Sequence, residues 1–179
     1  MTEAPSVAAL SLGGNVGDVV ASFAMALQAL DGLATTKVLQ VSSVWRTAPW
    51  GVTDQPDFFN LAAFVETAMT PQDLLEACLK IEKAAGRERK ERWGPRTLDI
   101  DIVDFAGLRI ATPSLTLPHP RARERTFVLA PLAEMDPEFS IAGEPVAVLL
   151  GAAAPEVDTS RAFKTDAPAS ARLLELMRR

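Results

Sequence analysis

The chain contains, from residue 92 to residue 103, the stretch Arg92-Trp93-Gly94-Pro95-Arg96-Thr97-Leu98-Asp99-Ile100-Asp101-Ile102-Val103. Its second half alternates apolar residues with Asp99 and Asp101. Strict alternation predicts a β-strand, and because successive strand residues point to opposite faces, both carboxylates project from the same face. The first half combines arginines and a tryptophan with Pro95, which predicts a stiffened cationic loop that leads into this strand.

The acidic pair is predicted to bind a cation. We expect the Cα atoms of Asp99 and Asp101 to lie about 6.5 Å apart. Two ionised carboxylates at about 6 Å repel by about 3 kcal/mol at an effective dielectric constant of about 20. The hard cations that carboxylates bind are Mg²⁺ and Ca²⁺, and Mg²⁺ usually comes with substrate phosphates. Asp104 follows on the same strand, and uninterrupted alternation predicts it on the opposite face, in a structural role.

Length and composition indicate one ordinary globular domain. The chain has 179 residues, of which 48% are hydrophobic and 23% charged, which suits a single core. The single cysteine, Cys78, excludes an intrachain disulfide framework and a multi-cysteine metal site, and its apolar helical surroundings predict a buried thiol. The N-terminal residues show no basic region followed by a long apolar run, so we expect no signal peptide, no membrane span and a cytoplasmic location.

Charge is distributed unevenly along the chain. The net charge of −5 argues against a general nucleic-acid-binding protein. Half of the 18 lysines and arginines nevertheless lie between residues 87 and 125, namely Arg87, Arg89, Lys90, Arg92, Arg96, Arg109, Arg121, Arg123 and Arg125. A local cationic cluster on an acidic chain favours a compact polyphosphate ligand. We interpret residues 86–95 as a lid that closes over phosphates, although a run of charges is usually solvated surface.

Periodicity and turn signals predict the order strand, helix, strand, strand, helix, strand. The strands are expected at Val7–Leu12, Lys37–Trp45, Phe58–Ala68 and Leu98–Val103, and the helices after the glycine turn to about Leu30, from Thr70 to Gly86, at Glu124–Ala133, at Val146–Ala153 and at Ala171–Arg179. Thr70 followed by Pro71 is a typical helix start. The glycine turn at residues 13–18 lacks the lysine and the spacing of a phosphate-binding loop, so we interpret Asp18 as a residue at a helix N-terminus.

Three positions allow both a functional and a structural interpretation. Phe58 and Asn60 share one face of their strand, where they would stack on and hydrogen-bond one heterocycle, or else serve as a core aromatic and a strand-edge amide. His119, the only histidine, lies between two prolines and either donates to a phosphate or is satisfied by a backbone carbonyl. Glu82 lies near the inward edge of its helix and either reaches solvent or faces the site.

Four stretches resemble the 6-hydroxymethyl-7,8-dihydropterin pyrophosphokinases of folate biosynthesis. They are Ser11–Asp18, Ser42–Asn60, Gly86–Asp101 and Leu117–Leu132, and the motif Arg92-Trp93-Gly94-Pro95-Arg96-x-x-Asp99-x-Asp101 is highly specific to that family. The resemblance implies an α+β fold, a ferredoxin-like sandwich in which helices pack on one antiparallel sheet, and the predicted order of elements agrees with it. It covers about residues 6–138 of a single domain 1–179, while residues 139–179 form an extension with no visible match.

The resemblance also implies a kinase-type transferase reaction. ATP gives its β,γ-pyrophosphoryl group to the hydroxymethyl oxygen of 6-hydroxymethyl-7,8-dihydropterin, and AMP leaves. Asp99 and Asp101 would hold two Mg²⁺ ions. The phosphates of ATP would be contacted by Arg87, Arg89, Arg92, Arg96, His119 and Arg125, with Arg87 and Arg96 acting in catalysis, Trp93 in the lid, and Glu82 and Ile102 lining the nucleotide pocket.

The second substrate is assigned to a different part of the chain. The resemblance implies that the pterin stacks between Phe58 and Phe127. Its edge would be hydrogen-bonded by Thr47, Asn60 and the backbone at Ala48 and Trp50. Many family members have tyrosine where Phe58 stands, so this chain keeps the stacking face and loses only the hydroxyl.

Two rival functions use the same features. A ferredoxin-like nucleic-acid-binding module also surrounds sheet aromatics with arginines, but the net charge of −5 and the acidic pair oppose it. A two-metal phosphohydrolase would use Asp99 and Asp101, but it would usually need more carboxylates than this stretch supplies. We therefore expect ATP and the pterin as partners, no nucleic acid, no membrane and a monomer.

Overall fold

One antiparallel sheet organises the molecule. The computed structural model describes residues 4–49, 54–86, 95–153 and 164–178. The strands are β1 (Ser6–Gly14), β2 (Thr36–Val41), β3 (Trp45–Thr47), β4 (Phe58–Thr67), β5 (Asp99–Phe105), β6 (Ile110–Ala111), β7 (Thr116–Leu117), β8 (Ser140–Ile141), β9 (Glu144–Pro145) and β10 (Lys164–Thr165). The main sheet has the order β10-β3-β4-β1-β5, and β2 also pairs with β4. With β1 between β4 and β5, the predicted ferredoxin-like α+β sandwich is confirmed.

Helices cover both faces of this sheet. They are α1 (Val19–Asp31), α2 (Pro71–Ala84), α3 (Thr126–Met135), α4 (Val146–Ala152) and α5 (Ala167–Met177). We call the face covered by α1, α2 and α5 the first face and the face covered by α3 and α4 the second face. The first-face core includes Leu10, Leu61 and the fully buried Cys78, and the second-face core includes Ala62 and Val103. Within the described residues, none of the helices has the length and apolar character needed to span a bilayer.

Three of the five predicted helix starts agree with the structure, those of α1, α2 and α4, and two differ. The side chain of Asp18 accepts a hydrogen bond from the Ala21 N–H (3.1 Å) and Thr70 accepts one from the Asp73 N–H (3.2 Å), as N-cap residues do. The prediction of a helix from Glu124 was wrong in its start. Residues 122–124 form a separate 3₁₀ turn and α3 begins at Thr126. The predicted start of the last helix at Ala171 was wrong, because α5 begins at Ala167 after the N-cap residue Asp166.

The predicted strand from Lys37 to Trp45 is broken in two, so the prediction of one continuous strand was wrong. The interruption at residues 42–44 is stabilised by the side chain of Ser42, which donates to the Ser43 carbonyl (2.8 Å) and accepts from the Ala62 N–H (2.9 Å). A hydroxyl that takes the place of a backbone partner ends the regular ladder. The chain then resumes as β3, which lies beside β4 and leads into the connection at residues 48–57.

A β-bulge near the end of β5 changes the face of Asp104. The register between β1 and β5 shifts so that Leu10 pairs with Ile102 while Ala9 pairs with Asp104. The extra residue reverses the alternation, and Asp104 lies on the second face with Ala9. The prediction that it faces away from the acidic pair was therefore wrong. Its Oδ2 accepts from the Gly107 N–H (2.9 Å), and burial raises the pKa of its carboxyl group.

The C-terminal segment docks on the edge of the sheet. Thr165 pairs with Trp45, the Asp166 N–H donates to the Val44 carbonyl (2.7 Å), and the Ser170 hydroxyl accepts from the Val44 N–H (2.9 Å). These contacts satisfy both backbone groups of Val44 in the break between β2 and β3. Helix α5 then inserts Leu173 into the first-face core.

We expect Leu173→Ala to destabilise the whole domain. Leu173 is 2% exposed, and truncating a buried leucine to alanine costs about 2–5 kcal/mol. Leu174 is 57% exposed on the same helix, so Leu174→Ala is the matched control and should change the free energy of unfolding by less than about 0.5 kcal/mol. Urea unfolding of the two variants makes the measurement. Equal stabilities would mean that α5 does not belong to the cooperative core.

Candidate active site

The predicted acidic pair lies on the second face near the start of β5. Asp99 and Asp101 are both half-buried, and they are paired in register with Gly13 and Ser11 of β1. Burial and the nearby charge of Asp99 raise the pKa of the Asp101 carboxyl group, and the positive charges of His119, Arg125 and Arg96 partly oppose this. The two carboxylates therefore repel each other as the sequence predicts.

Three of the predicted cationic residues converge on the acids. The Arg96 guanidinium donates to Asp99 Oδ2, and His119 and Arg125 are close enough to Asp101 to influence its pKa. The backbone N–H of His119 donates to the Val103 carbonyl (2.8 Å), which ties the segment after β7 to β5. His119 and Arg125, which lie 18 and 24 positions after Asp101 in sequence, thus come to one side of the sheet with it.

The histidine ring has an assignable orientation. Its Nδ1 accepts a hydrogen bond from the Arg121 N–H (3.2 Å), so in the neutral form the proton is carried by Nε2. Burial lowers the pKa of His119, and the charge of Asp101 acts in the opposite direction. The Nε2–H is thus the ring donor that this arrangement leaves for a ligand.

On the pterin side of the prediction, Thr47, Phe58 and Asn60 share the second face. Asn60 Nδ2 donates to Thr47 Oγ1 (3.0 Å), and both residues are buried. Phe58 is half-buried and the Arg96 guanidinium carbon lies 5.5 Å from its ring centre, within cation–π range. Ala48 is buried directly after β3.

The second aromatic residue, Phe127, lies in the first turn of α3. The Arg125 guanidinium carbon is 5.5 Å from its ring centre, so each of the two phenylalanines has an arginine over it. Helix α3 is fixed to the β2–β3 region by Glu134, which accepts hydrogen bonds from Ser43 and from the Trp45 indole (2.7 Å). Glu134 was not predicted as a site residue, because its partners lie about ninety residues away in sequence.

Gly13 of β1 lies between the acidic pair on β5 and the Phe58 and Asn60 side chains on β4, and we call this position the floor of the site. In the sheet, Asn60 pairs with Gly13 and Gly13 pairs with Asp99. Asn60 and Asp99 are therefore two strand spacings apart, about 10 Å. Gly13 contributes no side chain between them, and the Arg96 side chain reaches from Asp99 toward Phe58. A ligand lying on Gly13 would touch the amide on one side and the acids on the other.

Two predicted nucleotide-pocket residues have structural contacts. Glu82 is buried, and its Oε1 accepts from the Ile100 N–H on β5 (2.7 Å). The side chain of Ile102 is buried in the first-face core, on the opposite face from Asp101. A contact from Ile102 to a nucleotide would therefore have to come from its main chain.

Five predicted site residues lie outside the described residues: Trp50, Arg87, Arg89, Arg92 and Trp93. The predicted lid, residues 86–95, also lies almost wholly outside the described residues, because residues 87–94 are not described. Within the described ranges, no group of three or more histidine, cysteine, aspartate and glutamate side chains is placed to hold a metal ion. Among the described residues, the acidic pair is the candidate source of protein ligands for a metal ion at this site.

The arrangement defines a class of protein. Acidic and cationic residues lie on one side of the floor at Gly13, and aromatic and amide groups lie on the other. This arrangement suits an enzyme that positions a phosphorylated ligand beside a flat heterocycle for group transfer. The family model of 7,8-dihydro-6-hydroxymethylpterin-pyrophosphokinase matches residues 9–137. The chain belongs to this family.

Individual relatives agree with the family match. The chain is 47% identical over 137 residues to the 2-amino-4-hydroxy-6-hydroxymethyldihydropteridine pyrophosphokinase of Methylorubrum extorquens. The alignment covers 76% of this chain and 87% of the relative. It is 45% identical over 130 residues to the protein of that name from Bacillus subtilis, covering 73% of this chain and 78% of the relative. The residues that the family model matches include α1 to α3, Gly13 and every strand of the main sheet except β10, with β1 matched from Ala9.

A solved structure supports the fold independently. The crystal structure of wild-type HPPK-DHPS from Plasmodium falciparum superposes with a TM-score of 0.64 at 14% sequence identity. The alignment covers 83% of this chain and 44% of that longer one. At this identity the likeness concerns the fold alone.

Proposed function

We propose that this chain transfers the β,γ-pyrophosphoryl group of ATP to 6-hydroxymethyl-7,8-dihydropterin in folate biosynthesis. The hydroxymethyl oxygen attacks the β-phosphorus, a new O–P bond forms, and the bond between the β-phosphorus and the oxygen shared with the α-phosphate breaks. The hydroxyl proton is lost to water and AMP leaves. The observation that carries the proposal is the floor at Gly13, with Asp99 on one side and Asn60 on the other.

Two Mg²⁺ ions are part of this proposal. The donors fit, because Asp99 and Asp101 are half-buried carboxylates on one face and a cation would offset their repulsion. When bound, Mg²⁺ supplies charge neutralisation and Lewis acidity toward the triphosphate. Arg96 and Arg125 neutralise further phosphate charge, and the Nε2–H of His119 donates to a phosphate oxygen.

The pterin is held by stacking and by a polar pair. Its ring lies against Phe58 and Phe127, and its edge bonds to Asn60 and Thr47, whose mutual hydrogen bond (3.0 Å) fixes the Asn60 amide. Such positioning is the main requirement of phosphoryl-type transfer.

The decisive assay separates AMP from ADP. We expect the chain with ATP, Mg²⁺ and 6-hydroxymethyl-7,8-dihydropterin to release AMP in equal amount to the pterin diphosphate, as measured by chromatography. Omission of the pterin should abolish AMP release, which excludes simple hydrolysis. Release of ADP with the pterin present would contradict the proposal.

We expect Gly13→Ala to weaken pterin binding selectively. A Cβ at this position would lie 3.1 Å from Asn60 Oδ1, so the Asn60 amide has to move away from its bonding position. Loss of about one hydrogen bond, roughly 1 kcal/mol, should raise the KM for the pterin about fivefold and leave the KM for ATP unchanged. Gly151→Ala is the control, since its Cβ would meet nothing within 4 Å. An unchanged pterin KM in Gly13→Ala would show that the substrate does not use Asn60.

A further inference from the structure

Asn15 occupies a junction between three segments of the chain. It lies in the glycine turn between β1 and α1 and is 5% exposed. Its Nδ2 donates to Gln55 Oε1 (2.9 Å) and to the Pro56 carbonyl (3.0 Å). Its Oδ1 accepts from the Arg96 N–H (3.0 Å), and its own N–H donates to the Arg96 carbonyl (2.9 Å). One buried amide thus joins positions 40 and 81 residues away from it.

The two sides of this junction serve different substrates. Arg96 contacts Asp99 and lies over the ring of Phe58. Gln55 and Pro56 belong to the connection that leads from Thr47 into Phe58. Both backbone groups of Arg96 are held by the turn that contains Asn15, so the nucleotide side and the pterin side meet at this residue.

The chemistry of the amide makes the junction stiff. Both side-chain donors and the acceptor are engaged, and a buried polar group that loses its partner is costly. Movement of the Arg96 backbone therefore either carries the connection at residues 54–57 with it or leaves donors unpaired. Pro56 is exposed and Gln55 half-buried, so this connection depends on such anchors for its position.

We propose that Asn15 is a positioning residue that couples the two substrate sites. Binding of ATP fixes the position of Arg96. The hydrogen bonds of Asn15 then fix the position of residues 54–57, so that the pterin binds more tightly after the nucleotide. By linkage, the pterin tightens the nucleotide by the same factor. The inference rests on the proposed function, because it needs both substrates.

The test measures pterin affinity by calorimetry, without and with saturating Mg²⁺ and α,β-methylene-ATP, which lacks the bond that breaks. In the wild type we expect the nucleotide to tighten pterin binding by about 5- to 150-fold. In Asn15→Leu, which removes every side-chain hydrogen bond at similar size, this ratio should fall to about 1. A merely structural role would lower the thermal midpoint and leave the ratio unchanged.

Two further variants keep the test decisive. Gln55→Leu removes one of the two pterin-side hydrogen bonds of Asn15 and leaves the bond to the Pro56 carbonyl, so it should lower the ratio in part. The double variant with Asn15→Leu should show the same ratio as Asn15→Leu alone, because Gln55 acts through Asn15. Asp18→Ala is the matched control in the same turn. Its side chain faces Ala21 and Arg172, so the ratio should stay at the wild-type value.

The outcomes separate this inference from the proposed function. A wild-type ratio of 1, or a wild-type ratio retained in Asn15→Leu and Gln55→Leu, overturns the coupling role while AMP release by the wild type stands. If Asn15→Leu does not fold, the ratio in Gln55→Leu decides. Absence of both pterin binding and AMP release in the wild type would refute the proposed function, and the inference with it.

Discussion

Replacement of both Asp99 and Asp101 by alanine is expected to abolish turnover while the domain still unfolds cooperatively. The two carboxylates are the protein ligands proposed for Mg²⁺, and charge stabilisation by a metal is worth several kcal/mol, about 10³-fold or more in rate. Removing two half-buried acids that repel each other should cost little stability. AMP release and thermal unfolding, measured on the same preparation, test both parts.

Asp104→Asn is the matched control for the acidic pair. It changes an acid on the same strand and face, whose carboxyl oxygen accepts from the Gly107 N–H, and it should retain near-normal activity. A double variant of Asp99 and Asp101 with near-normal turnover would exclude the proposed metal role. Loss of cooperative unfolding would instead show that the pair holds β5 in place.

Arg96→Ala is expected to lower kcat by about 10²- to 10³-fold, the range for losing one preorganised donor to developing charge. The change removes a contact to Asp99 and the cation over Phe58, so pterin affinity should fall as well. Arg96→Lys should recover part of kcat, because lysine keeps the charge without the planar fork. Steady-state kinetics for both substrates make the measurement.

Arg123→Ala provides the comparison for Arg96. Arg123 pairs with Glu144 on the surface, and an exposed ion pair contributes about 0–1 kcal/mol to stability. We expect unchanged kinetics in this variant. If Arg96→Ala kept more than about a tenth of the wild-type kcat, its assignment to the phosphates would be wrong.

The sequence was a good guide wherever the signal is local. Alternation along residues 98–103 predicted the shared face of Asp99 and Asp101, and the same rule predicted that Phe58 and Asn60 point to one side of β4. Helix starts at Asp18 and Thr70 follow from side chains that bond within three residues. Such features need no knowledge of the tertiary structure.

The missed features depend on distant partners. The bulge that turns Asp104 to the second face is set by pairing with β1, and the sequence of β5 fits either register. The break after β2 is stabilised by contacts from Ser42 and from the C-terminal segment, more than a hundred residues away. Asn15 looked like an ordinary turn residue, because Gln55 and Arg96 come beside it only in the folded chain.

Cys78 gives this molecule an internal probe of its own opening. It is the only thiol in the chain, it is fully buried in α2, and burial raises its pKa to about 12, so alkylation at neutral pH requires the first-face core to separate. When the core recloses faster than the reagent reacts, the labelling rate reports the population of open molecules. A ligand that binds only the closed form should slow labelling by the factor 1 + [L]/Kd. Nucleotide and pterin affinities could then be measured from the labelling rate of one native cysteine, without a catalytic assay.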